Sequence, residues 1–188
     1  MRDKPVLSTE RRTLRPFTLT DAPFVEHYAG AAEVAEHTLN IPHPYPEGLA
    51  RQWISSHAGH FEAGDSAVFA LVLNSEDHIF GGMGIHIDHR HNHAEIGYWL
   101  GKPYWGKGYA TEAGQALLGY GFETLNLYRI HASHFVGNPA SGRVMQKLGM
   151  RFEGLRPGYM RKGDRYYDLV LYGILRDWYS THSQSGPA

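Results

Sequence analysis

Residues 96–113 read Ile96-Gly97-Tyr98-Trp99-Leu100-Gly101-Lys102-Pro103-Tyr104-Trp105-Gly106-Lys107-Gly108-Tyr109-Ala110-Thr111-Glu112-Ala113, and the change of character inside this stretch decides the fold. A strand ending at Leu100 runs into a glycine-containing turn, which opens directly into a helix. Glycines at 106 and 108 let successive backbone N–H groups converge on one point. The helix behind them adds its own unsatisfied N–H groups and a partial positive charge. The combination suits an anion such as a pyrophosphate, and Lys107 adds a further charge. Thr111 stands where the dinucleotide-binding pattern Gly-x-Gly-x-x-Gly needs its third glycine, so that pattern is excluded. No Gly-Lys-Ser/Thr follows, which excludes the P-loop. The two glycines alone fit a ligand-free strand-to-helix turn equally well.

Upstream, Ala67 to Leu73 is a continuous apolar run, the mark of a buried strand. Ile79 to Asp88 and Ala94 to Leu100 follow as further strands, separated by the polar turns Asn74-Ser75-Glu76-Asp77 and 88–92, so the three form an antiparallel meander. Thr13 to Phe17 predicts a first strand, with Thr20-Asp21 as an N-cap and a helix through Phe24, Val25 and Tyr28. Leu49, Trp53, His57 and Phe61 recur at helical spacing and mark a second helix ended near Gly64. Downstream, Ala110, Ala113, Leu117 and Gly121 give a helix from Thr111 to about Leu125 a face of small residues. Arg129 to Val136 is a strand, and Ala140 to Leu148 a short helix closed by Gly149. Two final strands, Phe152 to Met160 and Tyr166 to Leu175, flank the turn Arg161-Lys162-Gly163-Asp164. The order is strand, two helices, three strands, helix, strand, helix, two strands, which describes a single mixed α/β domain.

The bulk properties narrow the function. The chain has 188 residues, enough for one domain with a sizeable core and short for two. Its formal net charge of -1 gives no global argument for nucleic acid or a membrane surface as partner, and neither is expected. No cysteine is present, which excludes disulfides, thiolate metal sites and a cysteine nucleophile. No apolar run approaches the roughly 20 residues that span a bilayer. Met1-Arg2-Asp3-Lys4-Pro5 has no apolar signal core behind it, so a cytoplasmic location is expected. Three of the thirteen histidines alternate in His89-Arg90-His91-Asn92-His93, but Asn92 and the surrounding polarity predict a turn rather than an extended ligand set, and no metal is expected.

A second segment completes the case: Asn138-Pro139-Ala140-Ser141-Gly142-Arg143-Val144-Met145-Gln146-Lys147-Leu148-Gly149-Met150. It resembles the segment Asn-x-x-Ser/Ala, helix, Lys-Leu-Gly-Phe of the GNAT acetyltransferase superfamily. The glycine turn resembles that family's coenzyme A loop, Arg/Gln-x-x-Gly-x-Gly/Ala, with Gly108 and Ala110 in the last two places and Trp105 where Arg or Gln is usual. Trp105 removes a polar side chain, yet the loop's contacts are mainly backbone. The run 96–113, the opening Thr9-Glu10-Arg11-Arg12-Thr13-Leu14-Arg15-Pro16 and the ending Tyr166-Tyr167-Asp168-Leu169-Val170-Leu171-Tyr172 look like the ribosomal-protein N-terminal (RimJ/RimL-like) branch. The likeness covers residues 7–179 and leaves 180–188 as a disordered tail.

The resemblance implies a GNAT-like α+β domain, whose mixed, mostly antiparallel sheet splays between the strand ending at Leu100 and the one beginning at Arg129, with helices flanking it. It implies acetyl-CoA as cosubstrate and no metal. Trp99 and Leu100 would hold the pantetheine arm through their backbone. Trp105, Gly106, Lys107, Gly108, Tyr109, Ala110 and Thr111 would hold the pyrophosphate, and Asn138 the far side of the arm. Asn138 also reads as a helix N-cap. Many relatives carry a tyrosine acid seven positions beyond the Asn; Met145 stands there and cannot donate a proton. Ser141 is the substitute, or simply a helix-start serine. Glu95 is the base or a solvated strand-end carboxylate, with His131 and His134 as rivals. The loop Asn40-Ile41-Pro42-His43-Pro44-Tyr45-Pro46 would border the acceptor pocket, and Tyr159, Tyr166 and Tyr167 would line its other wall, with at least one of them packing between the last strands instead. The acceptor is a primary amine: a protein N-terminus, or a small molecule such as an amino acid, polyamine or antibiotic. A CoA-binding module without catalysis is the reading that Met145 keeps open. Monomer and homodimer are both compatible with the pattern.

Overall fold

The computed structural model describes residues 4–184, the last four as backbone only. Eight strands form one sheet: β1 (Leu7–Ser8), β2 (Arg12–Pro16), β3 (Ser66–Leu73), β4 (Ile79–Asp88), β5 (His93–Leu100), β6 (Arg129–Phe135), β7 (Arg151–Lys162) and β8 (Arg165–Leu175). Their order across the sheet is β1-β2-β3-β4-β5-β6-β8-β7. All pairs are antiparallel except β5 with β6. The helices are α1 (Ala22–Ala29), α2 (Ala32–Glu36), α3 (Leu49–Ala63), α4 (Tyr109–Gly119), α5 (Pro139–Lys147) and α6 (Arg176–Gln184). None of the described helices is long and apolar enough to cross a membrane.

Both faces of the sheet are covered, which explains why β3 is apolar throughout rather than alternating. Phe69 and Leu71 point into the larger core with Phe80, Met83, Ile85, Leu117 and Ile130. Ala70 faces the opposite way, into the smaller core with Val25, Ile54 and Trp99 beneath α1 and α3. The small-residue face of α4 lies on the larger core, with Ala113 and Leu117 fully buried. The chain continues from α4 into a π-helical turn, Tyr120–Thr124. There a Cβ on Gly121 would come within 2.6 Å of Ile130 Cδ1, so only glycine allows this approach to the sheet.

Several boundaries differ from the pattern reading. Asp21 stands at the N-cap of α1 as expected, but its carboxylate serves the preceding 3-10 turn Leu19–Asp21 instead, accepting from the Thr18 backbone N–H at 2.8 Å. Neither α2 nor α6 is predicted by the spacing. α6 also runs through the boundary drawn at 180, so the start of the expected disordered tail is helical, while residues 185–188 lie outside the described ones.

Candidate active site

β5 and β6 pair only through His93↔Arg129, Ala94↔Ile130 and Glu95↔His131, and then diverge. From Ile96 onward β5 has no strand partner on that side. The Gly101 N–H donates to the Phe80 carbonyl at 2.8 Å, and the Trp99 carbonyl also turns toward β4, 2.6 Å from where a Gly81 Cβ would stand. By strand alternation, Tyr98 and Leu100 are therefore the residues whose backbone faces the gap. This corrects the expectation for Trp99: its backbone faces β4, and its side chain joins the smaller core. Trp105 explains its own presence in the turn. Its Nε1–H donates to the Leu100 carbonyl at 2.7 Å, pinning the turn to the strand end. A carbonyl has two lone pairs, so Leu100 retains acceptor capacity.

In the turn itself, Gly106 has φ +72° and Gly108 φ +78°, both left-handed. A Cβ on Gly106 would meet nothing within 4 Å, and one on Gly108 only Arg11 Nη2 at 3.6 Å, and neither amide donates a hydrogen bond among the described residues. Tyr109, Ala110 and Thr111 form the first turn of α4 and present further N–H groups. Lys107 departs from the expected set: it lies outside the cavity wall, with its Nζ 5.7 Å above the Tyr104 ring.

The start of α4 is anchored by residues that the motif reading does not single out. Glu112 accepts from Thr9 Oγ1 at 2.5 Å, Arg11 Nε at 2.9 Å and Arg12 Nη2 at 2.7 Å. Arg12 is fully buried, and its Nη1 donates to the Tyr109 carbonyl at 2.8 Å. Burial acts to raise the Glu112 carboxyl, but hydrogen bonds from Thr9 and Arg11 and the charge of Arg12 outweigh it and hold the group below the usual carboxylate range. The sequence signal was an acidic residue in a first turn and an arginine pair in the opening motif.

Across the gap, Asn138 caps α5: its Oδ1 accepts from the Ser141 N–H at 3.2 Å. Its Nδ2 makes no hydrogen bond among the described residues. Ser141 Oγ lies 2.6 Å from the Tyr98 hydroxyl, a contact that spacing cannot reveal because 43 positions separate the two. Glu95 stands where the strands part and accepts from Ser133 Oγ at 3.2 Å. His131, opposite Glu95, stays out of the cavity wall; burial lowers its pKa more than Glu95 raises it. His134 is in the wall, with its Nδ1 2.8 Å from the Phe135 carbonyl. Met145 is buried in the larger core.

One cavity of about 860 Å³ joins these groups. Its wall includes Trp105, Gly106, Gly108 and Thr111 at the turn, Tyr98 and Leu100 on β5, and Glu95, Asn138 and Ser141. Asn40 and Ile41 belong to it, as the loop reading expects, whereas 42–46 do not, and His37, Thr38 and Leu39 join from before the expected loop. The tyrosine wall needs correction. Tyr159 and Tyr166 are exposed, and Tyr167 stacks on Phe135 at 4.6 Å; strand alternation turns Met160 and Leu169 inward instead. The histidine run forms a turn at Asn92 (φ 49°): His89 Nε2 lies 3.1 Å from the Gly64 carbonyl while His91 and His93 stack on each other at 5.8 Å.

Residues 11–151 match the family described as Acetyltransferase (GNAT) domain. Over 175 residues the chain is 35% identical to the uncharacterized N-acetyltransferase p20 of Bacillus licheniformis, covering 93% of this chain and 98% of that protein. The crystal structure of a GNAT-family acetyltransferase from Bacillus anthracis superposes with a TM-score of 0.82 at 30% identity, over 92% of this chain and 99% of the other. RimL, the ribosomal L7/L12 alpha-N-protein acetyltransferase in complex with coenzyme A, shares the fold with a TM-score of 0.83 at 17% identity, over 91% and 98% of the two chains. A family match across most of the chain, a relative alike from end to end and a solved relative that superposes over nearly its whole length lead to one conclusion: the chain belongs to the GNAT acetyltransferases and is an N-acetyltransferase.

Proposed function

We propose that the protein moves an acetyl group from acetyl-CoA to the α-amine at the N-terminus of a protein or peptide. The observation that carries this reading is the single cavity running from the undonated glycine amides, along the unpaired edge of β5, to Glu95 and Ser141. The residues present suit the donor. The undonated amides at Gly106 and Gly108, with the N-terminus of α4 behind them, suit the pyrophosphate. The backbone of Tyr98 and Leu100 suits the amides of the pantetheine arm, which would add to the sheet edge as a strand does, and Asn138 Nδ2 is free to help. RimL, which has this fold, is a coenzyme A complex. Bound there, acetyl-CoA supplies an activated thioester.

The acceptor side supports a single amine rather than a polyamine. Glu95 is the one carboxylate in the cavity wall among the described residues, beside the apolar Ile41, Trp53, Met160 and Leu169. A peptide α-amine has a pKa near ~7.7–8.0, so about a tenth or more is already neutral at pH 7, whereas a lysine amine near ~10.4 is neutral at well under about a thousandth. An exposed carboxylate reaching its proton through water is enough base for the first and poor for the second. RimL, by its name, acts on a protein α-amine.

Thiol release from acetyl-CoA, measured against a panel of short peptides, free amino acids and polyamines, tests this directly. The chain has no cysteine and so adds no thiol background. Peptides with free N-termini are expected to turn over at least roughly tenfold faster than polyamines or blocked peptides with a lysine, as the neutral fractions require. Fastest turnover on a polyamine would overturn the α-amine assignment. No thiol release with any amine would overturn the donor assignment.

A further inference from the structure

Met145 is buried in the core, which leaves Ser141 as the one hydroxyl that α5 brings to the cavity wall. An unassisted serine hydroxyl is a very weak acid with which to protonate the departing sulfur. Tyr98 is a better one, and it is placed for the task. It reaches the cavity from β5, the lip opposite α5, and its hydroxyl meets Ser141 Oγ at 2.6 Å. Ser141 is held rigidly for this contact: it is the third residue of α5, and its N–H is taken by Asn138 Oδ1. The Tyr98 hydroxyl has no other hydrogen-bond partner among the described residues. The rest of the ring packs against the larger core, so the hydroxyl is the one part of the side chain free to do chemistry.

We propose that Tyr98 is the proton donor to the leaving thiolate and that Ser141 orients its phenol. The inference rests on the acetyl-transfer reading of this cavity. The amine nitrogen attacks the acetyl carbonyl carbon, and the C–S bond breaks with its electron pair going to sulfur. The Tyr98 O–H proton passes to that sulfur, and the Ser141 O–H then donates to the phenolate. The amine gives up one N–H proton toward Glu95 and solvent, and solvent returns one to Tyr98. One N–H is lost and one S–H is gained, so the step balances.

The acidity supports this division of labour. A free phenol at about 10 lies roughly 1.5 units above a thiol at about 8.5, so transfer to sulfur is uphill and needs a donor hydrogen bond to the phenolate. Burial pushes Tyr98 up to about 12, while its hydrogen bond with Ser141 pulls the other way. The phenol thus keeps its proton at every physiological pH, and Ser141 is the one neighbour that makes it easier to give.

Steady-state kinetics of the full chain test the assignment. Tyr98→Phe is expected to lower kcat by about 10²–10³-fold, within the range of general acid catalysis, and to leave the KM for acetyl-CoA within about twofold. Ser141→Ala should cost less, about tenfold, and the double variant should be no slower than Tyr98→Phe alone, because Ser141 acts through the phenol. As a second probe that keeps the side chain's shape, a fluorotyrosine at position 98, with a more acidic phenol, should change kcat and move the alkaline limb of its pH profile downward. Tyr98→Phe with kcat within about twofold of the parent, losses that multiply in the double variant, or a rate blind to fluorination would each overturn the assignment while the parent still transfers acetyl. A parent protein that releases no thiol from acetyl-CoA would overturn both this inference and the reading beneath it.

Discussion

His57 lies in α3 with 7% of its surface exposed, and neither ring nitrogen has a hydrogen-bond partner among the described residues. It packs edge-on against Trp53 at 4.4 Å and Phe17 at 5.4 Å. Burial pushes its pKa down to about 4, with the positive charge of Lys4 adding to the effect. The free value is 6.5, so the unfolded chain takes up the proton first. Stability held by the neutral ring is complete above pH 6.5 and is lost as pH falls toward about 4. The thermal midpoint is expected to drop across that window by the equivalent of roughly 1–3 kcal/mol, and His57→Phe should flatten the drop. An unchanged pH slope in His57→Phe would mean that other groups carry it. The spacing of Leu49, Trp53, His57 and Phe61 puts His57 on the helix's inner face; that no partner waits there is visible only in three dimensions.

At the scale of elements, α2 with the loop after it and the β7–β8 hairpin belong together although 121 to 127 positions of chain separate their contacts, which makes their pairing illegible from local pattern. A five-residue helix is too short to stand alone. Lys162, at the hairpin tip, donates to the Ala35 carbonyl at 2.5 Å, the Thr38 carbonyl at 2.6 Å and the Ile41 carbonyl at 3.1 Å. A cation at a helix C-terminus suits the dipole, and burial lowers its pKa. The carbonyls it gathers bracket His37 to Ile41, a stretch that lines the cavity and that we propose borders the acceptor. Lys162→Met is expected to raise the KM for the acceptor roughly tenfold, from the loss of charged hydrogen bonds, while the KM for acetyl-CoA stays put. An unchanged acceptor KM would show that the wall holds its place without the hairpin.

For the whole molecule, the Glu112 network joins the start of the chain to its middle. It fixes β1 and β2 against α4, at one edge of the sheet and beside the glycine turn. Glu112→Ala would leave the Arg12 guanidinium buried with no carboxylate. That should cost about 3 kcal/mol, or roughly 6–12 °C in the midpoint for a domain of this size. Differential scanning calorimetry checks it; a shift below about 2 °C would mean that Arg12 finds another partner. The fall should be accompanied by weaker coenzyme A binding, since the same anchor sets the first turn of α4.

Much of this protein is determined by sequence alone, because hydrophobic period and turn chemistry act between near neighbours. The meander β3–β4–β5, the helix behind the glycine turn and the final hairpin all follow from local pattern, and the family motifs locate the sheet split. The left-handed glycines at 106 and 108 are a local necessity as well. What only the tertiary structure decides is which side of a strand is free and which distant side chains meet. Strand alternation turns the backbone of Trp99 away from the gap and that of Tyr98 toward it. It also turns Met160 and Leu169, not Tyr159 and Tyr166, into the cavity. The meetings of Tyr98 with Ser141, Arg12 with Glu112 and Lys162 with α2 span 43, 100 and 127 positions. Such contacts depend on how the elements pack, and no short window of sequence contains both partners.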